Sequence, residues 1–367
     1  EEPRFLMLET IREYAAEKLT ASGEEQRVRE VHAAFFTRLV AQAELEFWGP
    51  EEKAWSDRLE RELDNLRAAL SWFLQQEHHA AALWLAAALG LFWDDHGHLE
   101  EGRRWLQAAL SGGAGAGPAE RAKALDAAGV LARIQGDFPQ SSMRLEESLR
   151  LYREVGDQRG AAIALTHLGG LARLQGDLDR AAQLLQESLA MHRQVDNRHY
   201  VPAALTHLGE VRMRQGNYAQ AQKMLEEALA LRRELGNLVA IGQTLVALGR
   251  VEQLRGDRCH ARALYQDALT LHREIGAFPS IVEAIEALAA LLAEQDEGPR
   301  AARLWGASAT IRESIGIPVP ASARDEYDQN LERAHAQMTE AAWLATSNEG
   351  RAMSLDEAMD CALGESD

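Results

Sequence analysis

Leu165-Thr166-His167-Leu168-Gly169-Gly170-Leu171-Ala172-Arg173-Leu174-Gln175-Gly176-Asp177-Leu178-Asp179-Arg180-Ala181-Ala182-Gln183-Leu184-Leu185 is the stretch that decides the fold. Leu165, Leu168, Leu171 and Ala172, then Leu178, Ala181, Leu185 and Leu189, fall at three- and four-residue intervals, the pattern of two amphipathic helices. Gly176 stands where the first helix can end in a left-handed residue, and Asp177 is placed to cap the second. The stretch predicts a helix hairpin.

The hairpin recurs every 40 residues. Ala128-Gly129, Leu168-Gly169, Leu208-Gly209 and Leu248-Gly249 are each followed seven residues on by Gly136-Asp137, Gly176-Asp177, Gly216-Asn217 and Gly256-Asp257; a fifth, degenerate copy has Ala289 and Asp296 there. Twelve residues beyond each marker comes a small residue (Ser141, Ala181, Ala221, Ala261, Ala301), and sixteen beyond it a large apolar one (Leu145, Leu185, Leu225, Tyr265, Trp305). A glycine inside a helix gives up about 1 kcal/mol relative to alanine, so four of them call for an offsetting gain. Close approach of the two helices supplies one.

These residues resemble the tetratricopeptide repeat, and the likeness covers about 118–316. It implies an all-α tetratricopeptide-repeat α-solenoid preceded by a helical N-terminal region. The family's usual unit is 34 residues, and the surplus here is expected in a longer second helix and inter-repeat loop. A further degenerate unit is expected before the array, since Gly90 and Gly97 repeat the seven-residue interval and 105–110 resembles a second helix.

The 367-residue chain carries 39 Lys and Arg against 57 Asp and Glu, a net charge of −18. That balance disfavours nonspecific binding to nucleic acid or to an acidic membrane surface. No apolar run reaches the roughly 20 residues of a membrane span, and Glu1-Glu2-Pro3-Arg4 has neither a signal-peptide pattern nor an initiating Met. The reading is a fragment of a longer cytoplasmic protein. Cys259 and Cys361 stand in no metal or redox spacing. The acidity lies in the flanks: 118–316 is nearly neutral, as expected where polar ends cap a repeat array.

Five segments are expected: 1–30, the end of a winged-helix-like segment with a strand at 5–8; 31–111, helical with the degenerate repeat; 112–117, a glycine-rich linker; 118–316, five repeats; and 317–367, capping helices. Glu9-Thr10-Ile11-Arg12-Glu13-Tyr14-Ala15, His32-Ala33-Ala34-Phe35-Phe36, Asp64-Asn65-Leu66-Arg67-Ala68-Ala69-Leu70 and Gly97-His98-Leu99-Glu100-Glu101-Gly102-Arg103-Arg104-Trp105-Leu106 resemble one bacterial setting, as do Ala302-Arg303-Leu304-Trp305-Gly306-Ala307 and Ser354-Leu355-Asp356-Glu357-Ala358. The setting is the region joining an NB-ARC-type nucleotide switch to the repeat sensor in STAND-class ATPase transcriptional regulators, some of them LuxR-like. The resemblance implies a sensor module; the family's P-loop and Mg-binding motif are absent from this chain, so no ATPase activity carries over.

No nucleophile elbow, zinc-protease helix, Walker loop or paired-cysteine motif occurs, so no catalytic residue, metal ligand or cofactor is assigned. His167 with His207, and His192 with His272, recur in phase; duplication of a tolerated interface residue is the simpler reading beside a metal or proton-sensing ladder. Asp94-Asp95-His96-Gly97-His98, near His78-His79, reads as turn polarity, and Trp72, Trp84, Trp93, Trp105, Phe73 and Phe92 read as core. Glu146 has the interval to pair with Arg150.

In the resembled repeat the first helix lines the concave face. The groove candidates are Asp126, Thr166 and Thr206 three residues before the marker glycine, Glu210 and Arg250 one after it, Arg133, Arg173 and Gln253 four after, and Arg214 five after. Arginine binds carboxylate bidentately, so the four arginines point to an extended, partly acidic peptide or a partner helix. The competing reading pairs Arg133 and Arg173 with Asp126, Glu210 and neighbouring acids. The expected function is a non-catalytic sensor that binds a protein, peptide or small effector and biases a nucleotide switch. The alternative is a constitutive scaffold, with homo-oligomers left open.

Overall fold

The structure, a computed structural model, describes residues 9–95, 98–112, 115–319 and 323–364. Among these residues every regular element is an α-helix. The expected strand at 5–8 and the turn glycine Gly97 lie outside them. No helix among the described residues is long and apolar enough to cross a membrane.

Seven helices precede the array: α1 (Glu9–Ser22), α2 (Glu25–Glu46), α3 (Glu52–Arg61), α4 (Leu63–Gln75), α5 (His79–Ala88), α6 (Gly90–Asp95) and α7 (Leu99–Gly112). Five hairpins follow: α8 (Pro118–Ile134) with α9 (Phe138–Val155), α10 (Gln158–Leu174) with α11 (Leu178–Gln194), α12 (Val201–Arg214) with α13 (Tyr218–Leu235), α14 (Leu238–Arg255) with α15 (Arg258–Ile275), and α16 (Phe278–Glu294) with α17 (Gly298–Ile315). Helices α18 (Arg324–His335), α19 (Glu340–Arg351) and α20 (Leu355–Leu363) end the chain. The expected division at residue 30 falls inside α2, because the helical period runs through it without a breaker.

The turn chemistry read from the sequence is present. Gly136 and Gly176 take φ of 78° and 82°, and the Asp137 and Asp177 carboxylates accept from the backbone N–H three residues on. The marker glycines face the residue sixteen further along: a Cβ at Gly129 would lie 2.7 Å from Leu145, and one at Gly169 2.5 Å from Leu185. The 40-residue unit is lengthened in the second helix as expected, but in the first helix instead of the loop. First and second helices alike reach 17 or 18 residues, while α9 and α10 are joined by Gly156 and Asp157 alone. The surplus therefore sits in both helices. The exception is 195–200, a longer connection before the shortened α12.

Second helices of successive repeats are tied on the outer surface by exposed ion pairs 34 residues apart: Arg180 to Glu146 at 3.2 Å, Arg153 to Glu187 at 2.9 Å and Arg193 to Glu227 at 2.7 Å. Glu146 thus reaches the next repeat instead of Arg150, which pairs with Glu154 at 2.8 Å.

The glycine-rich 112–117 stretch does not separate two bodies. Ala124, Ala128 and Leu131 of α8 share one core with Leu83, Leu89, Trp93 and Leu106. Trp72, Phe73 and Phe92 are buried in that core, with Trp84 and Trp105 half-buried at its edge. Farther along, Trp48 packs on Tyr200 with ring centroids 4.9 Å apart, and Glu44 pairs with Lys123. At the other end α19 crosses α17 where Gly306 meets Ser347 and Gly350 meets Arg303, contacts that leave no room for a Cβ on either glycine. Helix α20 is held by Arg273 to Asp360 at 2.8 Å and by Arg300 to the Cys361 carbonyl at 2.9 Å.

Candidate functional site

First helices of repeats two to five line the inner face, and their side chains meet the C-terminal segment around a cavity of about 380 Å³. Arg173, Glu210, Arg214, Arg250 and Gln253, five of the nine groove candidates, lie on its wall. Asp126, Thr166 and Thr206 do not. They are buried, because the residue three before the marker glycine shares the glycine's own helix face, which turns toward the second helix of the hairpin and not into the groove. Thr166 Oγ1 lies 2.6 Å from Ser188 Oγ and 3.0 Å from His192 Nε2, and Asp126 pairs with His167 at 3.0 Å. Arg133 is half-buried on α8, outside the cavity wall.

Sequence reasoning missed most of this wall. Glu283 and Glu286 come from the degenerate fifth unit, and Tyr265 and Trp305 from the second helices. A signal for the two aromatics was available, since the position sixteen beyond the marker changes from leucine in repeats one to three to Tyr265 and Trp305. Their polar edges differ in state. Tyr265 donates its hydroxyl to Gln253 Oε1 at 2.8 Å, whereas the buried Trp305 Nε1–H has no acceptor among the described residues. Val319, Ala323, Glu326, Tyr327 and Asn330 close the outer side. The Tyr327 ring stands edge-on to Trp305 with centroids 4.6 Å apart.

Charge is largely compensated across the inner face. Arg173 Nε lies 3.2 Å from Glu210, Arg250 Nη2 3.0 Å from Glu283, and Arg312 grips Glu286 with two contacts of 2.7 and 2.8 Å. Burial alone would raise the Glu210 carboxyl, but Arg173, with His207 beside it, overrides that and holds it well below the usual carboxylate range. Burial likewise opposes the Arg250 charge, and Glu283 outweighs it. Arg214 is the exception: it is exposed, and no ion pair holds it among the described residues. Burial of its neighbourhood and the adjacent Arg173 lower its proton affinity, while Glu210 and Glu326 favour its charge. Chemically, the cavity offers one uncommitted guanidinium, an indole donor and the apolar surface of Leu174, Met213 and Leu254.

The repeated histidines form no shared cluster. His167 is committed to Asp126, and His207 Nδ1 lies 3.4 Å from Glu210. His192 and His272 are fully buried within their own hairpins. Of the histidine-rich turn, His98 pairs with Glu60 at 2.9 Å; His96 and Gly97 lie outside the described residues. Among the described residues Glu252, Asp257 and His260 bring ligand atoms within 4.8 Å of one another. There Glu252 is already paired with Arg255 at 3.1 Å and Asp257 caps its helix.

Residues 120–194 and 200–274 match the family described as tetratricopeptide repeat. Over 171 residues the chain is 33% identical to proteins of Mycobacterium tuberculosis and Mycobacterium bovis named as HTH-type transcriptional regulators, a match covering 44% of this chain and 19% of theirs. The chain therefore spans about a fifth of the length of those relatives. Among solved structures, a Rap protein complexed with competence and sporulation factor is 14% identical, with a TM-score of 0.53 over 85% of this chain and 100% of that one. Cut9–Hcn1 of the APC/C is 17% identical, with a TM-score of 0.52 over 81% of this chain and 55% of that one. Family match, two-helix unit and structural neighbours agree that the fold is an all-α tetratricopeptide-repeat solenoid.

Proposed function

We propose that this chain is the interaction and sensor module of a larger bacterial transcriptional regulator of the STAND ATPase type, and that it takes a peptide or protein segment in the concave cavity. The carrying observation is the cavity itself: about 380 Å³ of partly open space on the inner face, walled by a guanidinium without an ion pair and by an indole whose buried N–H has no acceptor among the described residues. Segments carrying a carboxylate beside an apolar or aromatic residue suit that lining. The mycobacterial regulators support the setting, and the Rap protein, whose structure was solved in complex with competence and sporulation factor, supports the use of such an array to hold a partner. Binding acts by population shift: a partner that prefers one arrangement of array and N-terminal helices biases a nucleotide switch elsewhere in the protein. No catalytic step is assigned to these residues.

A second reading, a constitutive scaffold, draws on the ion pairs that stitch one inner helix to the next and stiffen the array. Nucleotide hydrolysis by the full-length protein, measured with and without a captured partner, separates the two; a rate indifferent to the partner favours the scaffold. The groove itself is tested by pull-down from a native bacterial lysate with this chain and with its Arg214→Glu variant. A partner lost in the variant is the expected result. One retained by both moves recognition off the groove.

A further inference from the structure

Nothing in the 40-residue repeat requires helix α18, yet α18 and the residues before it supply one wall of the cavity. Its attachment is concentrated at its C-terminal end, where Ala334 and Gln337 lie close against Gly298 of α17. Of its own residues only Ala334 is buried, and the same end is tied by Arg333 to Glu294 at 3.0 Å and by Gln337, just beyond it, to the Ala293 carbonyl at 2.6 Å. The helix that follows is fixed along its length by the backbone-close crossing of Gly306 and Gly350. Over the groove α18 rests on one aromatic contact, Tyr327 against Trp305.

The chemistry of that contact face is specific. Glu326 is exposed and close enough to act on Arg214 and Arg250, while Tyr327 meets the indole at 4.6 Å. An acid next to an aromatic residue thus covers a wall that carries both arginines and an aromatic ring. The fit is incomplete, since Arg214 gains no ion pair and the Trp305 N–H no acceptor among the described residues. A segment with the same pattern and better reach would gain both. Phosphate-rich partners are disfavoured by Glu210, Glu283, Glu286 and Glu294 on the same wall.

Building on the groove as the binding face, we infer that α18 is an internal stand-in for the partner: the groove takes a helical segment bearing a carboxylate beside an aromatic residue, and Glu326-Tyr327 holds that place until such a segment displaces it. Affinity for a partner is then set partly by how firmly the chain holds its own helix, and α18 acts as a competitor in cis.

The test uses the full chain and, as probe, a labelled peptide of residues 323–337 followed by fluorescence anisotropy. In a chain carrying Glu326→Lys and Tyr327→Ala the probe should bind at least tenfold more tightly than to the unaltered chain. Adding Arg214→Glu should remove that gain, and a probe carrying Tyr327→Ala should fail to bind. Equal binding to both chains, or no binding to the released chain while α16 and α17 keep their hydrogen-exchange protection, overturns the inference. Should the double variant lose that protection, the unaltered chain decides: saturating probe must speed exchange in α18, and unchanged protection there rejects displacement. If the probe fails while a lysate partner is still lost on Arg214→Glu, only the role of α18 falls; a partner indifferent to Arg214→Glu removes the groove reading itself.

Discussion

His192 in the second repeat and His272 in the fourth occupy the same place in the 40-residue unit, both fully buried, yet they are accommodated by opposite means. Around His192 the ring nitrogens are met: Nε2 lies 3.0 Å from Thr166 Oγ1 and Nδ1 3.2 Å from Asn197 Nδ2, with Ser188 behind the threonine and Tyr200 stacked on the ring at 5.4 Å. In the fourth repeat Val246, Ala268 and Ala277 stand where Thr166, Ser188 and Asn197 stood, and neither His272 nitrogen has a partner among the described residues. What the fourth repeat supplies instead is space. Gly242 replaces Ala162, and a Cβ there would run into the His272 ring. One solution satisfies the polar group; the other makes room for it and leaves its desolvation uncompensated.

The same position carries Tyr152, Arg232 and Arg312 in the other repeats. Arg232 donates to the Ala240 carbonyl at 2.7 Å and to Thr244, and burial lowers its pKa to about 10. Duplication therefore preserved a polar seam between the helices, and each copy found its own partners.

The largest test of the pair is acid. Burial pushes both imidazoles down to about 4, helped at His192 by His167 and Arg159. A folded pKa below the unfolded value of about 6.5 means that these groups contribute stability above 6.5 that is lost as pH falls toward 4. Each full shift corresponds to about 3 kcal/mol. Urea midpoints measured between pH 7 and 4 should fall steeply, and in His272→Leu the fall should be shallower. An unchanged slope would show that His272 is not neutral in the core.

Gly242→Ala comes next, with an expected loss of about 3 kcal/mol from overpacking, read as a lower urea midpoint. The reverse exchange in the second repeat, Ala162→Gly, should cost about 1 kcal/mol through helix propensity alone. Equal losses would break the comparison. Replacing the rings separates the two sites further: His192→Leu strands the Asn197 amide and takes one partner from Thr166, and should lose about 2 kcal/mol, whereas His272→Leu strands nothing and should be neutral or stabilising. The smallest effect is Val246→Thr, which restores a hydroxyl toward His272 and should raise stability by about 1 kcal/mol or less. Destabilisation instead would mean that the hydroxyl cannot reach the ring.

Features set by local sterics were legible in the sequence. Gly169 opposite Leu185, or Gly176 before Asp177, follows from rules that act within one hairpin. The in-phase histidines were visible too, but not their fates, because His192 and His272 differ through the packing of several non-adjacent residues: those on the paired helix, one on their own and those in the connection that follows. Groove assignment was half legible. Positions one, four and five after the marker reach the cavity at Glu210, Arg250, Arg173, Gln253 and Arg214, while the position three before it is turned into the hairpin. Contacts formed across long separations left no periodic trace: Trp48 on Tyr200, and α18 over the groove, join segments that share no repeat register.

The outer ladder makes the curvature of the array an electrostatic quantity. Its rungs are exposed, so added salt weakens them, whereas Arg173–Glu210 on the inner face is largely shielded from solvent and screened much less. Ionic strength then slackens the convex side first, and the solenoid behaves as a leaf spring with a soft outer leaf and a stiff inner one. Its radius of gyration, followed by small-angle scattering, should drift with salt well before any helix melts.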